Sequence, residues 1–320
     1  MKTLLKSIVP LALVMGVAGC SKLPEETNAW IGKEIRFDTS VTGSEDVETK
    51  LVLKFWDSWV YPAWEDGDQV KIAKKAASGA TGEALYNRDQ TNDRWNAVSA
   101  PLMWAENAPH DFCVVYPSAG EVTFLSTPDV GSDPVARVQC EITRNMSNGD
   151  PKKFYMVGVS HVDEPKPQMQ FSMTPAVSVF RFSITNKYAA GLRIASVNLL
   201  AWDEPYWTSE SKQMYIYGKY YVDVDGSYDG WVYQPFVTYA GLAETPAYKS
   251  MTPGYVKTMA MNETASFTVY AIPQNYKRLV LTLKLTGAVE KEQKIDFRNT
   301  TNSYAGFDPF KKYDLKVTLQ

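Results

Sequence analysis

Near its C-terminal end the chain alternates strictly. Tyr313, Leu315, Val317 and Leu319 fall on one side of the segment, and Asp314, Lys316 and Thr318 on the other. A period of two belongs to a strand with one buried face. The same pattern recurs in Lys33 to Ser40, where Ile35 and Phe37 oppose Glu34, Arg36 and Asp38. Asp111 to Tyr116 is a nearly continuous apolar run halted by Pro117, as a strand buried on both faces would be. Further strand-like segments lie at 51–55, 69–73, 135–142, 154–159, 168–173, 176–185, 192–200, 213–224, 231–239, 265–272 and 279–285. Asp66-Gly67-Asp68 is a turn signal. Residues 76–84 carry few large apolar side chains and read as a loop. No segment sustains a helical period with caps. Short strands at this spacing predict an all-β chain of antiparallel sheets packed as sandwiches.

The chain has 320 residues, enough for two domains of ordinary size. A break at Pro165 and Pro167 and the strands that follow place a boundary near Pro175. Its 19 Tyr, 13 Phe and 9 Trp favour pleated, half-buried surfaces, which agrees with the strand pattern. A net charge of -3 supplies no basic surface, so nucleic acid is not an expected partner.

Met1 to Cys20 has a different character. Lys2 and Lys6 are followed by an apolar run from Ile8 to Val17, too short to span a bilayer and suited to a secretory signal peptide. The run ends in Val17-Ala18-Gly19-Cys20, which resembles a bacterial lipobox, so Cys20 would become the acylated first residue of the exported chain. Residues 1–19 are then the signal peptide and 20–29 a polar, lipidated tether. Two sandwiches are expected after it, over 30–174 and 175–320. Only Cys113 and Cys140 remain after export; a disulfide between them and two buried thiols are both open.

Catalytic groupings are sparse. The chain has two histidines, His110 and His161, and no nucleophile elbow, zinc-protease helix, Walker loop or dinucleotide fingerprint. A non-enzymatic role without cofactor or metal is expected. Asp225-Gly226-Ser227-Tyr228-Asp229-Gly230 matches half of a calcium loop, but Phe236 stands where the bidentate Glu belongs, so a hairpin turn is the better assignment. Trp56, Trp59, Tyr61 and Trp64 form one aromatic group, and Trp202, Tyr206 and Trp207 another. The second, interrupted by acidic residues and Pro205, could stack on a sugar.

Taken in order, several of these features resemble the fimbrillin-like proteins of Bacteroidetes. They are the lipobox, the Trp64-Glu65-Asp66-Gly67-Asp68 turn, the spaced Tyr86, Trp95 and Trp104, and Phe112 to Pro117. The strands within Gln170 to Thr185 and the closing strand Tyr313 to Leu319 complete the pattern. Thr174-Pro175 departs from it where a His-Leu-like pair is expected. The resemblance implies two tandem transthyretin-like β-sandwich domains and a subunit of a surface fimbria, held at the outer membrane by its lipid. It also implies assembly by donor-strand exchange. Proteolysis removes the first strand, here Ile35 and Phe37. A strand with the pattern of Tyr313, Leu315, Val317 and Leu319 then fills the groove. The family's cleavage follows an Arg after the first strand. Here Ser40 to Thr49 contains none, which leaves either cleavage at Lys50 or Arg36, or a subunit that keeps its lipid anchor and serves as an anchoring or accessory one. Other fimbrial subunits, and a host or bacterial surface glycan or protein, are the implied partners. Glycan binding through Trp202, Tyr206 and Trp207 is the alternative function.

Overall fold

The computed structural model of the protein describes residues 28–41, 54–56, 59–61, 64–125, 136–143, 154–188, 191–203, 212–227, 234–243, 248–298 and 306–320. Among the described residues there are strands, turns and bends but no α-helix, so the all-β expectation holds. In chain order the strands are β1 (Phe37–Val41), β2 (Lys54–Trp56), β3 (Trp59–Tyr61), β4 (Gln69–Ala76), β5 (Thr81–Asp89), β6 (Arg94–Ala97) and β7 (His110–Tyr116). Next come β8 (Glu121–Phe124), β9 (Ala136–Ile142), β10 (Met156–Val162), β11 (Met169–Pro175), β12 (Ser178–Asn186), β13 (Leu192–Trp202), β14 (Gln213–Met214) and β15 (Gly218–Ser227). The last are β16 (Gln234–Leu242), β17 (Ser250–Met251), β18 (Lys257–Met259), β19 (Thr264–Ala271), β20 (Arg278–Gly287), β21 (Lys291–Arg298) and β22 (Lys312–Leu319).

A seven-stranded sheet runs β1-β11-β10-β7-β4-β5-β6. Its middle strand, β7, is the apolar run that precedes Pro117, and only Asp111 in it is not fully buried. Gly158 lets β10 lie close to β11: a Cβ there would sit 2.5 Å from the Ser172 carbonyl oxygen. The Asp66–Asp68 turn forms as expected, with Gly67 at a φ of 82° that favours glycine. Residues 76–84 are not a loop. They hold the end of β4, a tight turn and the start of β5, in which Ala84 is buried and Gly82 packs beside Leu102.

On the other side of Pro175, the sheet β19-β12-β22 faces β14-β13-β20-β21. Phe182 of β12 stacks on Phe267 of β19 at 5.1 Å and meets Phe297 of β21 at 5.6 Å, so the core lies between the two sheets. β21 was not expected from sequence, because Lys291–Arg298 offers only Ile295 and Phe297 as apolar residues. The single strand expected over 213–224 is two, β14 and β15, separated at Tyr215–Tyr217.

The fourth large sheet, β16-β15-β9-β8, draws two strands from each side of Pro175. β9 and β15 pair antiparallel from Ala136↔Val224 to Ile142↔Gly218. Arg137 and Asp223 clasp across this ladder through two hydrogen bonds of 2.7 and 2.9 Å. Residue 175 therefore separates β11 from β12, but not one set of sheets from another.

Candidate assembly site

The first strand makes two successive pairings. Gly32 donates to the Trp104 carbonyl oxygen at 2.8 Å, Trp104 to Lys33 at 3.0 Å, and Ile35 to Leu102 at 2.8 Å. From Phe37 onward the chain leaves that partner and runs parallel to β11, from Phe37↔Met169 to Val41↔Met173. The regular strand is thus shorter than Lys33 to Ser40. Ile35 and Phe37 are nonetheless buried as the alternation requires, and Arg36 between them is exposed.

Phe37 is the plug of the N-terminal core. Its ring meets Tyr86 edge-on at 4.8 Å, stacks near Trp95 at 5.9 Å, and meets Phe171 edge-on at 5.8 Å. Tyr86 and Trp95 belong to β5 and β6, at the far end of the same sheet. The sheet therefore curls, and β1 closes it. Beside Phe37 lies Arg88 of β5, 8% exposed, with its guanidinium over Trp95. Arg88 pairs with Asp93 and reaches Asp38 of β1 at 4.0 Å. Sequence reasoning marked Tyr86 and Trp95 but missed Arg88, since nothing in its neighbours signals a buried cation. Four atoms near this seam are buried without a hydrogen-bond partner among the described residues: Thr39 Oγ1, Arg88 Nε, Arg88 Nη1 and Trp95 Nε1.

The closing strand β22 also lies on a sheet edge. It runs parallel to β12, from Val179↔Lys312 to Asn186↔Leu319. Val317 and Leu319 are buried and Tyr313 and Leu315 half-buried, while Asp314, Lys316 and Thr318 are exposed, as the alternation requires. Tyr313 stacks on Phe180 at 5.7 Å. The candidate donor strand thus sits within its own sheet.

Other marked residues are dispersed. Trp202 ends β13, half-buried, with Arg278 over its ring at 6.0 Å. Tyr206 and Trp207 lie outside the described residues, as do Cys20 and Lys50. Asp225, Gly226 and Ser227 continue the β15–β16 ladder, as a hairpin requires. Cys113 and Cys140 are both buried and not bonded to each other. Burial pushes the Cys113 thiol up to about 12 and raises that of Cys140 as well.

The histidines stand apart. His110 is buried against Trp104 and Phe112, with Nδ1 2.7 Å from the Ala108 carbonyl oxygen. Burial lowers its pKa, and the Ala108 carbonyl opposes this. His161 lies at the surface, 2.7 Å from Asp111 and 3.4 Å from Asp163. The hydrogen bond that its protonated ring donates to the Asp111 carboxylate raises its pKa. No group of three metal-ligating side chains occurs among the described residues.

No family model matches the sequence, and no curated protein matches it. Solved structures are similar to it. One, described as a "putative cell adhesion protein" from Bacteroides ovatus, has a TM-score of 0.54 at 9% identity, over 90% of this chain and 92% of that one. A chain of the same description from Bacteroides uniformis has a TM-score of 0.49 at 16% identity, over 80% and 88%. The fimbrial anchor protein Mfa2 from Porphyromonas gingivalis has a TM-score of 0.39 at 8% identity, over 89% and 90%. The likeness to the Bacteroides ovatus chain, which extends over nine-tenths of this one, is a likeness of fold.

Proposed function

We propose that this chain is a non-enzymatic structural or accessory subunit of a cell-surface fimbria with a role in adhesion. It would be exported as a lipoprotein, held at the outer membrane through Cys20, and joined to other subunits by donor-strand exchange. The observation that carries the reading is the position of β1. It is an edge strand, yet its side chains seal the curled sheet, so its loss opens an apolar groove and a row of unpaired backbone groups. Burying Ile35 and Phe37 contributes roughly 3–6 kcal/mol, enough to drive capture of a replacement strand. The adhesion and fimbrial descriptions of the structural neighbours support the same role.

The experiment is to cut the folded chain with a Lys-specific protease and follow ladders on a non-boiled gel. Ladders that need Lys50, and that vanish when Leu315, Val317 and Leu319 become Ser, are expected. Ladders unaffected by the C-terminal changes exclude β22 as donor. A cut chain that stays monomeric in every case removes the polymerising reading. Glycan binding draws on less, because Arg278 lies over one face of Trp202.

A further inference from the structure

We infer that the seat of β1 is built to take β22 of a second copy of this chain in one register, with Tyr313 replacing Phe37 and Asp314 beside Arg88. This rests on the strand-exchange reading above. The first observation is internal likeness. Arg36-Phe37-Asp38-Thr39-Ser40-Val41 and Lys312-Tyr313-Asp314-Leu315-Lys316-Val317 share a base, an aromatic, an Asp and, three residues on, a Val. The second is direction. Each segment forms a sheet edge and runs parallel to its neighbour, β1 to β11 and β22 to β12. β22 can therefore lie along β11 without reversing.

Charge then selects among the registers that keep the apolar face inward. With Tyr313 at the Phe37 position, Asp314 replaces Asp38 near the buried guanidinium of Arg88. A slip of two residues in either direction puts Lys316 or Lys312 there instead, and like charges repel. The selected register also repairs a defect. Thr39 Oγ1 is buried without a partner among the described residues, and Leu315 would occupy that position with no polar atom to satisfy. The match starts at Arg36, because Lys311 stands where Ile35 is buried.

The test uses the full chain with a specific protease site placed in the connection at 42–50. After cleavage, exchange of the nicked first strand for labelled peptides is followed by fluorescence anisotropy. The peptides span residues 310–320 and, as a control, 33–41. All substitutions are in the peptide, so the protein's folding is not in question. The 310–320 peptide is expected to bind, with Asp314→Lys weakening it about tenfold or more. Leu315→Thr should weaken it several-fold, and Lys311→Ile should tighten it. If Asp314→Lys binds as well as the unaltered peptide, the register is wrong while strand exchange stands. If only the 33–41 peptide binds, β22 is not the occupant and the inference falls. If neither peptide binds, the strand-exchange reading itself fails.

Discussion

Asp38 of β1 stands 4.0 Å from the guanidinium of Arg88 on β5, although four strands separate β1 from β5 in the order of the sheet. The contact records how far that sheet curls, and it identifies Phe37, the residue next to Asp38, as the closure. Phe37→Ala should lower the unfolding free energy by about 3–5 kcal/mol, the range for emptying a buried aromatic site. Asp38→Asn should cost about 1 kcal/mol or less, because Asp93 still pairs with Arg88. Urea unfolding of both variants checks the ratio; equal losses would mean that the ion pair, not the ring, holds the strand.

Much of this region was legible in the sequence because alternation and apolar runs survive any tertiary context. The inward direction of Ile35 and Phe37, the buried strand before Pro117 and the closing strand all follow from period and residue type. The curl does not, since it depends on which aromatic residues meet across a long sequence gap. β5 was hidden by Gly82 and Ala84, small residues of low strand propensity at its start. β21 was hidden by its exposed edge position, where polar residues carry no penalty. The ladder between β9 and β15 was hidden because no local rule couples segments so far apart. At the candidate site, Asp38 was visible as a polar residue of the strand, but its partner Arg88 was not.

The two histidines should tilt stability with pH in opposite directions. His161 has its folded pKa raised above the ordinary 6.5 by Asp111, so its contribution is complete below about 6.5 and is lost as pH rises through the folded value. His110 has its folded pKa lowered by burial, so its penalty grows as pH falls below about 6.5 toward the folded value. Thermal unfolding from pH 5 to 8 should find His161→Gln most damaging at pH 5. The deficit of His110→Phe should shrink or reverse at that same pH. Parallel pH profiles for the two variants would contradict both assignments.

The Arg137–Asp223 clasp ties strands from the two sides of Pro175. The hydrogen bonds that Arg137 donates to the Asp223 carboxylate hold its guanidinium in the charged form. Arg137→Met and Asp223→Asn should each cost about 1 kcal/mol, and the double variant less than their sum. Heat unfolding of each variant should remain one transition, because the β9–β15 backbone ladder persists. Two separated transitions would mean that the clasp, rather than the ladder, couples the halves.

The placement of β1 also carries a consequence for biogenesis. Asn28, just ahead of the strand, bonds to Pro165, 137 positions along the chain, and Phe37 finds its backbone partner only at Met169. During synthesis the first strand thus emerges long before its neighbour does. Loop closure over that distance is slow and is repaid only at the end. β4, β5 and β7, whose partners are nearer in sequence, can assemble while the place of β1 is still vacant. Each newly made chain therefore passes through a moment when any suitable strand could take that place, and its own first strand must win a race to do so.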